Sequence, residues 1–147
     1  ELIEEIDVLK AGAPAETNDE FPFLLSAGER RAYTANTIVR DPEWRRKDAQ
    51  GALHIHPEDA ARLNLGSGST ATLITEAGEA MVEVEISDRM MRGHVAIPNG
   101  LGLHYPDDQG NPVLTGVAPN ELTSLSMRDK FAGTPWHKSV PVRIEAG

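Results

Sequence analysis

The sequence predicts a mainly β fold, a small closed β-barrel with short crossover helices. Short runs of alternating apolar and polar residues recur along the chain, glycine- or proline-bearing corners separate them, and one short helix is clearly marked at both ends. About six strands can be counted. A doubly wound parallel sheet would need long helices between the strands, and the sequence does not write them.

Composition sets the bounds. A length of 147 residues with 39% apolar content suits one domain with a real but modest core. Lys+Arg 14 against Asp+Glu 23 gives a formal charge of -9, which opposes attraction to nucleic acid or an anionic membrane. An anionic ligand must therefore be held by local donors. With no cysteine, this chain offers no disulfide, thiolate metal ligand or iron–sulfur ligation. No apolar run approaches the roughly 20 residues of a membrane-spanning helix. The chain begins at Glu1 without methionine, which points to a fragment or a processed product.

Taken in order, residues 2–10 place Leu2, Ile3, Ile6 and Leu9 on one face of an amphipathic helix, and the acidic, small-residue tract AGAPAETNDE follows as linker. Residues 1–20 are accordingly expected to be a helix and linker from a preceding domain, and residues 21–147 the barrel domain. The stretch FLLSAGERRAYTANT is a buried strand, a glycine break at Gly28, the charged group Glu29, Arg30 and Arg31, and a polar tract through Tyr33 to Asn36 and Thr37. Such a corner puts backbone N–H groups and side-chain donors at the mouth of a sheet. Next, VRDPEWRRKDAQG is dense in charge and turn formers, with Trp44 its only large apolar group. It reads as a solvated loop, with Arg40, Arg45 and Arg46 as reserve partners for an anion.

In ALHIHPEDAARLNLGSG, Leu53 and Ile55 alternate as a strand, and Pro57 suits the first turn of a helix capped by His56. Glu58 and Asp59 complement the helix N-terminus, and Asn64 tolerates the left-handed conformation that lets Leu65 fold back on Ala60. STATLITEAGEAMVEVEI is a hairpin turning at Ala77-Gly78, with Ala80, Val82, Val84 and Ile86 facing the core. A strand from His94 to Pro98 stops at Asn99-Gly100. From Leu101 to Val117 no period is visible, and a loop that long is usually functional or disordered. PNELTSLSMRDK reads as a short helical turn with Asn120 as cap, and the strand Ser139 to Glu145 closes the domain.

Enzyme constellations fare poorly. His54 and His56 form an H-x-H pair, but the carboxylate expected four or five residues later is replaced by Ala60 and Ala61, so no metal site is assigned. There is no G-x-S-x-G, and the many carboxylates sit at outward positions. What remains is a set of donors at separate strand ends: Gly28, Arg30, Tyr33, Asn36 and Thr37; Asn99 and Gly100; Asn120 and Thr123; His137 and Lys138. Asparagine amides read heterocycle edges in both directions, while arginine and lysine pair with phosphate oxygens.

The order of these pieces resembles the C-terminal dinucleotide-binding domain of the molybdopterin oxidoreductases, the family of dimethyl sulfoxide reductase and formate dehydrogenase. The resemblance runs from about Phe21 to Glu145 and rests on FPFLLSAG, IHPEDAARLNL, GHVAIPNG, PNELTS and PWHKSVPVRIE. It implies a double-psi β-barrel and, as cofactor, a molybdopterin guanine dinucleotide carrying molybdenum or tungsten. It further implies that the metal ligand and any iron–sulfur cluster lie outside this chain, and that the partners are upstream domains of the same polypeptide. Nothing in it calls for nucleic acid or membrane. The chain would not be catalytic alone; the parent would be an oxidoreductase of formate dehydrogenase type, expected in the cytoplasm, with any export signal upstream. Carried over by position, the cofactor contacts fall on Gly28, on Arg30 or Arg31, on Tyr33 to Thr37, on Asn120 and on His137 and Lys138. The family commonly follows the glycine directly with arginine, whereas Glu29 intervenes here. A stand-alone barrel module of adaptor type is the alternative; a self-cleaving decarboxylase is disfavoured because the Gly-Ser pairs at 66–69 sit beside a helix end.

Overall fold

The computed structural model describes residues 3, 4, 6, 17–29, 31, 40–45, 48, 50–128 and 132–147. Eight strands are present among them: β1 (Phe23–Glu29), β2 (Leu53–Ile55), β3 (Thr70–Ile74), β4 (Glu79–Ile86), β5 (His94–Pro98), β6 (Leu103–Pro106), β7 (Pro112–Thr115) and β8 (Val140–Ala146). Six of them close a barrel in the order β1-β5-β2-β4-β3-β8, and β6 and β7 form a separate two-stranded ribbon. The pairs β1–β5 and β2–β4 are parallel and the other barrel pairs antiparallel. Each parallel pair encloses other barrel strands in sequence, as expected of a double-psi barrel. Closure leaves no barrel strand with an unpaired edge.

Alternation fills the interior. Phe23, Leu25 and Ala27 of β1, Leu53 and Ile55 of β2, Val82 and Val84 of β4, and Val140, Val142 and Ile144 of β8 all point into one core. At about 1.5–3 kcal/mol per fully buried aliphatic side chain, this alternation is the main term holding the closed barrel. The outward residues of β4 remain wet, including Met81.

The helix α1 (Pro57–Arg62) forms as its sequence dictates. His56 Nδ1 accepts from Glu58 N at 3.2 Å, and Pro57 occupies the first helical position. At the other end Asn64 has φ 55°, Leu65 N donates to Ala60 O at 2.9 Å, and Asn64 N donates to Ala61 O at 3.2 Å. That is a Schellman ending with asparagine in place of glycine. In the hairpin β3–β4, Thr75 accepts at its hydroxyl from the amides of Ala77 and Gly78.

Two expectations are corrected here. The tract from Leu101 to Val117 is not an irregular loop but carries the ribbon β6–β7, whose turn is held by Asp107 accepting from the amides of Gln109 and Asn111. The Asn111 amide, foremost among these donors, holds the Asp107 carboxyl below its ordinary range. The turn near Asn120 is a 3-10 turn, Pro119–Leu122, whose cap position is Ala118, so Asn120 is free of capping duty. Of the N-terminal helix, Ile3, Glu4 and Ile6 are helical, and the rest of that segment lies outside the described residues.

The charged segment is also reversed relative to expectation. In the 3-10 turn Pro42–Arg45, Trp44 is 71% exposed and Arg45 only 2%. Arg45 Nη2 donates to Thr115 Oγ1 at 2.8 Å and to Arg40 O at 3.1 Å, while its Nε is buried without a partner. Burial lowers the Arg45 pKa, opposed by the nearby charges of Asp48 and Asp41. A buried cation of this kind adds little stability over a packed apolar chain of similar length. Arg45→Met is therefore expected to leave the urea midpoint nearly unchanged or raise it. Arg45→Ala should lower stability by about 2 kcal/mol, through the cavity it leaves.

Candidate functional site

The site is built at the end of β1, where the barrel ladder breaks. Ala27 pairs with Ile97 of β5, but it is Glu29, not Gly28, that pairs with Pro98. Gly28 is the extra residue of a bulge, with φ 104°. Two consequences follow from it. A Cβ on Gly28 would collide with Asn99 Oδ1, so the absent side chain is what lets Asn99 lie against the strand. The bulge also reverses the alternation, so Glu29 faces the outer wall instead of the core.

Around this corner the chain brings together turns far apart in sequence. Asn99 N donates to Glu29 O at 3.1 Å, Ala27 N donates to His137 O at 2.7 Å, and Lys138 Nζ donates to Gly28 O at 2.7 Å. Together with the 3-10 turn at Pro119–Leu122 they surround a cavity of about 590 Å³, lined by Ala27, Asn99, Gly100, Pro119, Asn120, Thr123, Ser124, Leu125, Pro135 and His137. That volume falls within the roughly 300–1,000 Å³ of small-molecule sites. His137 Nδ1 donates to Pro135 O at 3.0 Å, which fixes the ring and leaves Nε2 toward other partners.

Among the sequence candidates, Gly28 lies against Asn99, Lys138 reaches Gly28 O from a separate cavity that it lines with Ser26 and His94, and Asn99, Gly100, Asn120, Thr123 and His137 line the site itself. Glu29 and Arg31 do not: Arg31 Nε donates to Glu29 Oε2 and Arg31 Nη1 to Asp48 Oδ2, each at 2.8 Å. Arg30, Tyr33, Asn36 and Thr37 lie outside the described residues. Residues the sequence reading passed over are Ala27, Pro119, Ser124, Leu125 and Pro135. Ser124 was the findable one, adjoining Thr123 in the run PNELTS.

His54 and His56 are not brought together as ligands. His54 lies between Glu29 and Glu85, with each ring nitrogen 3.4 Å from a carboxylate oxygen, while His56 caps α1. Among the described residues no group of His, Asp or Glu is arranged to hold a metal, and no helix is long and apolar enough to cross a membrane.

The chemistry of the cavity suits a phosphorylated heterocycle. Two carboxamides can each donate and accept at a ring edge, two hydroxyls can do either, His137 presents Nε2 as an acceptor once Nδ1–H is given to Pro135 O, and among the described residues none that lines the pocket is acidic. A carboxylate there would repel a diphosphate.

Comparison with known proteins agrees with the barrel fold. Residues 23–141 match the family model described as "Molydopterin dinucleotide binding domain". Proteins provisionally named formate dehydrogenases in Staphylococcus aureus, strains USA300 and COL, are 27% identical over 113 residues, covering 77% of this chain and 11% of each relative. Among solved structures, the acetylene hydratase from Pelobacter acetylenicus superposes with a TM-score of 0.71 at 19% identity, covering 87% of this chain and 19% of that one.

Proposed function

Because the chain belongs to the molybdopterin dinucleotide-binding domain family, we propose that its cavity holds the guanine dinucleotide end of a molybdenum or tungsten cofactor within a larger oxidoreductase. The observation that carries the reading is the convergence of Asn99, Asn120, Thr123 and His137, from three separate loops, on one cavity whose described lining holds no carboxylate. Asn99 and Asn120 would read the edge of the heterocycle, Thr123 and Ser124 would bond ribose or phosphate oxygens, and Lys138 would add positive charge at the Gly28 corner. When bound, the cofactor supplies the redox-active metal. This chain's own residues bind and orient its tail and exclude water from one side of it.

The chain spans 11% of the curated relatives it matches, so the parent activity is a separate proposal: an oxidoreductase of formate dehydrogenase type, with upstream domains of the same polypeptide as partners. Leu125 supports the idea of a partner surface, since it lines the cavity yet is 77% exposed. The test is to purify the native polypeptide, release its cofactor in acid, and quantify GMP, oxidised pterin and metal. GMP and pterin are expected in equal amounts, falling about tenfold or more in Asn99→Ala with Asn120→Ala, since each lost hydrogen bond in a desolvated site costs about 1 kcal/mol or more. Folded protein without either compound would overturn the reading.

A further inference from the structure

The outer wall beside the cavity carries a connected set of charges that the cavity itself does not use. Outward positions line up across the strands: Ser26 of β1 pairs with Ala96 of β5, Ala96 with His54 of β2, and His54 with Glu85 of β4. The Gly28 bulge adds Glu29 to this face. Arg31 then lies across it, with its side chain only 13% exposed, Nε on Glu29, Nη1 on Asp48 and Nη2 donating to Ala96 O at 3.4 Å. Asp48 in turn accepts from Ala52 N at 2.9 Å, just before β2, and Glu29 is also within 3.4 Å of His54.

All three guanidinium nitrogens are thus engaged in one clamp joining β1, β5 and the approach to β2. We infer that Arg31 is not a phosphate ligand but a positioning residue, which Glu29 and Asp48 hold on the outer wall so that the Gly28 bulge and Asn99 keep the shape of the cavity. This deepens, and rests on, the dinucleotide reading above. Glu29 supplies the acceptor for Nε, and it stands on this face because of the Gly28 bulge.

Lysine separates the two roles, because it keeps the charge but gathers its three donors on one nitrogen, which cannot span Glu29, Asp48 and the Ala96 carbonyl as the planar guanidinium does. The native polypeptide would be purified with its cofactor and the loss of GMP and pterin followed over time. Amide hydrogen exchange at Asn99, whose N–H donates to Glu29 O, would be measured in parallel. Arg31→Ala, Arg31→Lys and Asp48→Asn are each expected to speed cofactor loss about tenfold and to speed Asn99 exchange similarly, the size of one charge-assisted hydrogen bond removed. Glu29→Gln should be milder, because its amide oxygen still accepts from Nε, and the double variant Arg31→Ala with Asp48→Asn should be no faster than Arg31→Ala alone.

A direct phosphate contact gives the opposite pattern. Arg31→Lys would then retain cofactor nearly as wild type, Asp48→Asn would be silent, and Asn99 exchange would not respond to either. That result overturns the clamp. Wild-type protein lacking GMP and pterin would instead overturn the dinucleotide reading, while Asn99 exchange would still decide the clamp.

Discussion

Gly28→Ala is expected to lower the stability of the chain by about 2–4 kcal/mol and to abolish retention of the dinucleotide. Two costs add at this position. An L residue in the left-handed region costs about 1–2 kcal/mol, and φ 104° lies beyond the comfortable part of that region. The new Cβ would also meet Asn99 Oδ1 at a separation no real pair adopts, so Asn99 must leave the strand. Relaxation by removing the bulge is blocked, because restoring strict alternation would turn Glu29 into the barrel core as an unpaired charge. Thermal unfolding and cofactor content measured on the same preparation check both parts. A variant with wild-type melting behaviour and full cofactor content would refute the account of the corner. Asn99→Gly in the Gly28→Ala background should recover part of the stability by removing the clash, but none of the binding, since it also removes an amide from the cavity.

Local devices were the most legible in the sequence. The capping unit could be read whole because His56, Pro57, Asn64 and Leu65 act on backbone groups within a few residues of themselves. The hairpin β3–β4 was legible because one face is buried and writes a period of two, whereas β5, buried on both faces, was legible from the glycine that opens it and the Asn99-Gly100 corner that stops it. The ribbon β6–β7 has no buried face of that kind: Pro112, Val113 and Leu114 are all exposed and only Thr115 of β7 is buried, while β6 alternates only half-buried Leu103 and Tyr105 with exposed His104 and Pro106. Arg45 was misjudged for a related reason. Its burial depends on Thr115 reaching it from that ribbon, a contact 70 residues away. Gly28 was recognisable as a special position, but the direction Glu29 faces depends on which residue of β1 is left unpaired against β5. That is a property of the pairing and not of the stretch itself.

Asp59→Ala is the second substitution expected to have a large effect, at about 2–3 kcal/mol of stability, and it acts at a distance from the cavity. Asp59 sits in the first turn of α1 at 1% exposure, where its Oδ2 accepts from Gly93 N at 2.7 Å and its Oδ1 pairs with Arg62. Gly93 is the residue before β5, and its carbonyl accepts from Leu24 N of β1 at 2.9 Å. One carboxylate therefore ties the helix to the start of the parallel pair whose far end carries Gly28 and Asn99. Alanine leaves the Gly93 donor without its partner and removes a charge-assisted bond, the more costly way to lose a buried contact. Asparagine separates the contributions, because its oxygen can still accept from Gly93 while the charge opposite the well-exposed Arg62 is lost. Urea denaturation should rank wild type first, Asp59→Asn close behind and Asp59→Ala well below. Equal losses for the two variants would show that the charge, and not the bond to Gly93, holds the helix to the barrel.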